Sequence, residues 1–246
     1  MVTYDKVAKH YIERRSDKTR FDYNRDIEVP ALVKIIGNAT GKTILDIGCG
    51  FGDHAKILSR QKFKSLIGFD ISKDLVNHAN GQKIPNCRFY IGDMDKKLKH
   101  ENSSFDIVYS GLAIHYSKNL DKLFKEIHRV LKKNGTFCFS TGHPIFNLLN
   151  QTDEHIICSK KISETKREIV GDYFDESFRL NDLGSLGKVS LRNFTFETMI
   201  KTGLSNGFEL VDYADAKPIR SSRKFPEKYR LTTIQPTFIL FKFRKK

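Results

Sequence analysis

The sequence predicts an α/β protein in which a mostly parallel sheet is covered by helices on both faces. Three observations carry this. Short apolar runs alternate with segments of helical period from about residue 43 to residue 140. The first of these runs turns through three alternate glycines into a helix, in Ile44-Leu45-Asp46-Ile47-Gly48-Cys49-Gly50-Phe51-Gly52-Asp53. The next ends in Gly68-Phe69-Asp70-Ile71-Ser72, which puts a carboxylate at a strand end. Alternation of this kind gives right-handed crossovers and a sheet buried on both sides.

Taken in order, residues 1–35 read as a helical lead-in, with Tyr4, Val7, Ala8 and Tyr11 on one face and the polar stretch from Tyr11 to Tyr23 as a lid. Strands are expected at 43–48, 65–70, 88–91, 105–110 and 136–141, with helices at 53–61, 73–79 and 120–131. In the last helix Leu120, Leu123, Phe124, Ile127 and Leu131 recur on one face, and Asn134-Gly135 is its stop signal. After His143-Pro144 the pattern loosens, with extended segments at 156–158, 167–173 and 188–194 interrupted by Gly184 and Gly187. A helix at 196–204, a strand at 207–213 and a final strand at 237–243 complete a single domain spanning 1–246. Residues 144–193 read as a substrate cap, because an insertion at that end of the sheet covers whatever binds there. The plainer alternative is an irregular insertion.

The chain has 246 residues, enough for one substantial core. Its amino terminus is charged by Asp5, Lys6 and Lys9, and no apolar stretch has the length of a membrane span, so a cytoplasmic protein with no membrane span is expected. Cys49, Cys87 and Cys138 fall in strand-like contexts, and with Cys158 they show neither metal-ligand nor disulfide spacing. Cys49, Cys87 and Cys138 read as reduced core residues, and no metal is expected. The net charge of +14 raises the possibility of an anionic partner, but it is spread from Lys6 to Arg244-Lys245-Lys246 without a nucleic-acid-binding motif.

Chemistry collects on one edge. Right-handed crossovers bring the loops after the strands together, so 48–52, Asp70, Gly92-Asp93-Met94 and 110–116 converge where open sheets of this type bind ligands. The glycine loop permits close backbone approach, and a carboxylate after the next strand can clasp a ribose. A dinucleotide fingerprint starting at Gly48 would need glycine at 53, where Asp53 stands, and no lysine–hydroxyl pair closes the loop as in a Walker site.

These motifs, with 126–136 containing Arg129-Val130-Leu131-Lys132-Lys133-Asn134-Gly135, resemble the class I S-adenosylmethionine-dependent methyltransferases. Within that family they are most similar to the ubiquinone/menaquinone-biosynthesis-type and natural-product small-molecule enzymes. The resemblance implies a Rossmann-like sheet of seven strands, the last antiparallel at 237–243, and S-adenosyl-L-methionine as cofactor. It implies that Gly48, Cys49 and Gly50 line the amino-acid end of the cofactor, with Asp46 beneath them. Asp70 would accept from the ribose hydroxyls with Ile71 on the adenine face, and Asp93 from the adenine amine with Met94 beside it. Ser110 and Gly111 would expose backbone near the methionine portion, and Tyr11 and Arg20 would close over it.

A methyl group on a sulfonium is already activated, so orientation and exclusion of water are the main demands, with a general base where the acceptor must lose a proton. His143, ending the fifth strand, and His115, just past the fourth, are the two candidate bases, and His115 is also a cofactor-pocket residue. Tyr116, His143, Tyr173, Phe174 and Arg192 are the substrate-side expectations. Leu191-Arg192 stands where the family often has a histidine–arginine pair, so a substrate role for that histidine does not carry over. The reading is methyl transfer to an oxygen or nitrogen of a small metabolite. Behind it stand an RNA or other nucleic-acid methyltransferase using a basic surface, and a non-enzymatic S-adenosylmethionine-binding protein. The absence of an Asn-Pro-Pro-aromatic signature in 110–116 puts nucleic acid second to a small-molecule acceptor.

Overall fold

The computed structural model describes residues 4–145, 152–153, 156–157, 159–161, 167–169, 173–182 and 188–246. Five strands lie parallel: β1 (Thr43–Ile47), β2 (Ser65–Asp70), β3 (Cys87–Ile91), β4 (Phe105–Gly111) and β5 (Leu131–Gly142). Six short strands follow in three antiparallel ribbons: β6 (Thr152–Asp153) with β7 (Ile156–Ile157), β8 (Ser159–Lys161) with β9 (Arg167–Ile169), and β10 (Phe178–Asp182) with β11 (Lys188–Arg192). Finally β12 (Phe208–Asp215) and β13 (Phe238–Lys245) join the main sheet. That sheet has seven strands in the order β3-β2-β1-β4-β5-β13-β12, and β13 runs antiparallel to both neighbours, as expected. Strand order reverses between β1 and β4, which is where a crevice opens at the carboxyl ends of the strands.

The helices are α1 (Tyr4–Ser16), α2 (Val29–Ile36), α3 (Asp53–Leu58), α4 (Lys73–Gly81), α5 (Leu120–Val130), α6 (Phe196–Ser205) and α7 (Pro226–Ile234). A π-helical turn, Asn24–Glu28, runs directly into α2. Side-chain oxygens cap α4, α5 and α6: Ser72 accepts from the Leu75 N–H, Asn119 from Lys122 and Thr195 from Thr198. Alternation along β1 divides the core. Leu45 and Ile47 face a layer built with α5 and α6, whereas Ile44 faces one built with α2 and α3. In the first layer Phe124 lies edge-on to Phe137, Phe139, Phe208 and Phe243, contacts worth about 0.5–1.5 kcal/mol each beyond area burial.

Some boundaries differ from expectation. Helix α5 stops at Val130, and Leu131 is already extended and paired with Phe105. The Asn134-Gly135 signal is therefore a bulge inside β5, with Asn134 at φ 61°, before pairing resumes at Ile107 and Thr136. Strands β12 and β13 run two residues further than expected, and α7 and the 3-10 turn at Arg220–Lys224 were not anticipated. Cys49, Cys87 and Cys138 are free thiols, and burial pushes Cys87 and Cys138 up to about 12, so neither is a nucleophile at neutral pH. Cys158 lies outside the described residues. No helix among the described residues is long and apolar enough to cross a membrane.

Candidate active site

Between β1 and α3 the glycine turn comes into contact with the loop after β4. A Cβ on Gly48 would lie 2.3 Å from the Ala113 Cβ, so only glycine allows this approach, and its φ is 72°. A Cβ on Gly50 would meet nothing within 4 Å, so that side of the loop is open. The amides point inward. Gly48 and Cys49 both donate to the Phe69 carbonyl at 2.9 Å, and Gly50 donates to Asp70 Oδ2 at 2.9 Å. The first residue of α3 is Asp53, whose own carboxylate takes Arg15 as partner at the helix N-terminus. A phosphate cradle needs amides aimed at the ligand. This loop instead spends its amides within the protein, which suits a ligand without phosphates at this position.

Asp70 is held at the crevice by two amides, Gly50 on Oδ2 and Ser72 on Oδ1, each at 2.9 Å. A carboxylate has roughly four acceptor positions, so the same group can read a vicinal diol. Beside it Ile71 is 69% exposed, unusual for so apolar a side chain. With Phe69, Tyr90, Ile91 and Leu98 it lines a cavity of about 270 Å³ that also contains Asp93. Asp93 Oδ1 accepts from the Asp95 N–H at 2.9 Å, and Oδ2 lies 3.9 Å from Lys96 Nζ. Met94 packs on the core next to the glycine turn. Lys96, Lys97 and Lys99 complete the lining, and the apolar side chains beside the Asp93 carboxylate suit a flat heterocycle that carries an amine.

Beneath the glycine turn lies a buried ionic layer that the sequence did not signal. Arg15 bridges Asp22 and Asp53. Asp53 Oδ1 is 3.2 Å from His54 Nδ1, and His54 Nε2 is 2.8 Å from Glu28 Oε2. Burial opposes charge on His54, but Glu28 and Asp53 outweigh it and raise the imidazole well above its ordinary value. Both ring nitrogens of His54 are thus committed, Nε2 to Glu28 and Nδ1 to Asp53. Asp46 is 1% exposed and accepts from the Tyr109 hydroxyl at 2.6 Å. Burial lifts its carboxyl to about 7 against the opposing pull of His54 and Tyr109. Arg15, rather than Arg20, is the lead-in arginine paired to the start of α3; Arg20 is exposed and contributes its backbone carbonyl to Arg25. Tyr11 does reach the turn, edge-on to Phe51 at 5.9 Å.

Past β4 the expectations divide. Ser110 is fully buried, and its hydroxyl donates to the Ile47 carbonyl at 2.9 Å, so of this pair only Gly111 is partly exposed. His115 is buried, 3.2 Å from Thr141 Oγ1 and against Tyr116, and burial lowers it to about 4. His143 does not present a lone pair to a substrate. Its Nδ1 accepts from the Ile145 N–H, which leaves the proton on Nε2, 3.2 Å from Asp215 Oδ1. It pins the end of β5 to β12 and lies edge-on to Phe196.

Of the other substrate-side residues, the Tyr173 hydroxyl accepts from the Phe196 N–H, and Phe174 is 78% exposed. Arg192 stacks between Phe178 and Phe194 while its Nε donates to the Glu176 carbonyl. Sequence reasoning passed over its neighbour, Asn193. Both Asn193 carboxamide atoms are buried without a hydrogen-bond partner, directly after β11, which packs on the Ile114–Tyr116 turn. A buried polar pair of this kind calls for an explanation.

Residues 45–139 match the methyltransferase-domain family. By fold and motif, the chain carries a class I S-adenosylmethionine-dependent methyltransferase domain. An S-adenosylmethionine-dependent methyltransferase from Mesorhizobium loti superposes with a TM-score of 0.76 at 26% identity, covering 88% of this chain and 96% of that one. The demethylmenaquinone methyltransferase of Lactococcus lactis is 33% identical over 129 residues, 50% of this chain and 51% of that protein. The human mitochondrial arginine-hydroxylase NDUFAF5 is 25% identical over 211 residues, 83% of this chain and 58% of that protein. The chain thus spans little more than half the length of the curated relatives it matches.

The residues of this methyltransferase domain fit the cofactor that the fold implies. The open side of Gly50, the inward-turned amides, the diol-competent Asp70 and the exposed Ile71 above an apolar slot match a ligand that is free of phosphate and nucleoside at one end.

Proposed function

We propose that this chain transfers the methyl group of S-adenosylmethionine to an oxygen or nitrogen of a small metabolite. The observation that carries the reading is the glycine turn whose amides are spent on Phe69 and Asp70, beside a diol-reading carboxylate. When bound, S-adenosylmethionine supplies a methyl group activated by a positively charged sulfur. Asp70 orients the ribose, Asp93 and Ile71 the adenine, and the glycine turn receives the cationic amino-acid end, with the buried Asp46 carboxyl supporting the turn from beneath. Gly111 and Leu112 wall the amino-acid end of the methionine portion. Residues 144–193 act as the cap over the acceptor, supported by the packing of β11 on the turn that bears His115 and Tyr116. Asn193 supplies the polar contact to the acceptor. At a pKa of about 4 His115 is a weak base, so orientation and exclusion of water carry the rate rather than proton abstraction.

A second reading, chemistry on a protein arginine, is favoured by one observation, the match to the arginine-hydroxylase across most of this chain. Calorimetry with S-adenosylmethionine tests the cofactor. Asp70→Ala is expected to weaken binding at least tenfold while the fold persists by circular dichroism, and unchanged affinity would refute the ribose assignment. Transfer of a radiolabelled methyl group is then measured against a panel of phenols, quinols, carboxylates, amines, an arginine-containing peptide and transfer RNA. Label in a small molecule supports the first reading, and label in the peptide or the RNA overturns it.

A further inference from the structure

We propose that Glu28 is a positioning residue for the amino-acid end of the cofactor, setting the backbone of Gly111 and Leu112 from beneath the sheet. This rests on the cofactor reading above. Leu112 is one of the few non-glycine residues in the left-handed region, at φ 50°, so something must hold it there. Its N–H donates to Ser140 Oγ at 2.9 Å and also to the Ser140 carbonyl at 3.2 Å. For the hydroxyl to offer a lone pair to Leu112 its own proton must go elsewhere, and it goes to Glu28 Oε1 at 2.5 Å. Glu28 therefore sets the Ser140 rotor, and the rotor sets Leu112.

The other carboxylate oxygen acts on Gly111. Glu28 Oε2 accepts from His54 Nε2 at 2.8 Å. The His54 ring fills the space over Gly111, where an added Cβ would stand 2.6 Å from Cε1 and 2.7 Å from Nε2. One carboxylate thus fixes two successive residues at the end of β4, one through a hydroxyl and one through an imidazolium. Glu28 is 0% exposed and so acts through these partners rather than by touching a ligand. It enters from the π-helical turn of the lead-in, 112 residues before Ser140, so the placement of the lead-in and the shape of the wall around the amino-acid end are set by the same side chain. A carboxyl group so deeply buried is an inefficient way to stabilise a core, because an apolar residue fills the same volume without desolvation. Its directional hydrogen bonds are what an apolar residue cannot replace.

The test compares S-adenosylhomocysteine with 5′-methylthioadenosine, which keeps the adenine, ribose and thioether but lacks the amino-acid end. Binding of both to the full chain is measured by calorimetry for wild type, Glu28→Gln and Ser140→Ala. Both variants are expected to weaken S-adenosylhomocysteine at least tenfold while leaving 5′-methylthioadenosine within twofold. Parallel weakening of both probes would mean a general structural role and overturn the proposal, as would no change in either. Should Glu28→Gln fail to fold, Ser140→Ala carries the same split and the same refutation. Wild-type protein that binds neither probe would overturn the cofactor reading itself, and this inference with it.

Discussion

The Tyr109 hydroxyl donates to Asp46 Oδ2 at 2.6 Å across register-paired positions of neighbouring parallel strands, and both residues are shut off from solvent. The pair places an ionisable carboxyl inside the sheet directly below the glycine turn. With its pKa lifted to about 7 by burial, Asp46 changes charge in the neutral range instead of near 3.8.

That shift has a signed consequence. Between about pH 4 and pH 7 the unfolded chain holds fewer protons at this site than the folded one, so stability falls as pH rises through this window and levels off above it. Asp46→Asn keeps an acceptor for Tyr109 and removes the titration. Its stability relative to wild type is expected to rise from pH 5 to pH 8 in urea unfolding experiments. A difference that stays constant with pH would show that Asp46 ionises at an ordinary value.

His143 is expected to behave as a strut. Burial lowers its pKa, with Asp215 pulling the other way, and both ring nitrogens are engaged by Ile145 and Asp215. His143→Gln should lower stability by about 1–2 kcal/mol while retaining more than a tenth of the turnover, with an unchanged pH profile. A hundredfold loss of turnover at unaltered melting temperature would restore His143 to the role of base.

The sheet was legible because β1, β2 and β4 are short apolar runs bounded by glycines and acids, a pattern that depends only on neighbouring residues. Asp70 and the glycine turn were legible for the same reason. The ionic layer was not. Arg15, Asp22 and Glu28 fall in a polar stretch that resembles any solvated segment, and their burial depends on Asp53, His54 and Ser140 from distant strands and helices. The pairing of His143 was not legible on similar grounds, because its partner Asp215 lies 72 residues further on. Helix α7 escaped notice because it buries only Thr232 and carries no apolar stripe.

Asn193 offers a trade between stability and function. An unpaired buried polar group costs about 1–3 kcal/mol, and a leucine of nearly the same shape would remove that cost. Both carboxamide atoms of Asn193 are in this state. Asn193→Leu is therefore expected to raise the melting temperature and leave S-adenosylhomocysteine affinity unchanged. If the carboxamide waits for the acceptor, the same variant raises the acceptor KM at least tenfold with little change in kcat, since the lost contact is made equally before and during transfer. A lower melting temperature would mean that the amide is satisfied in solution, and an unchanged KM would remove Asn193 from the acceptor site. A more stable protein with a poorer KM is the result that a binding group held ready in the cap requires.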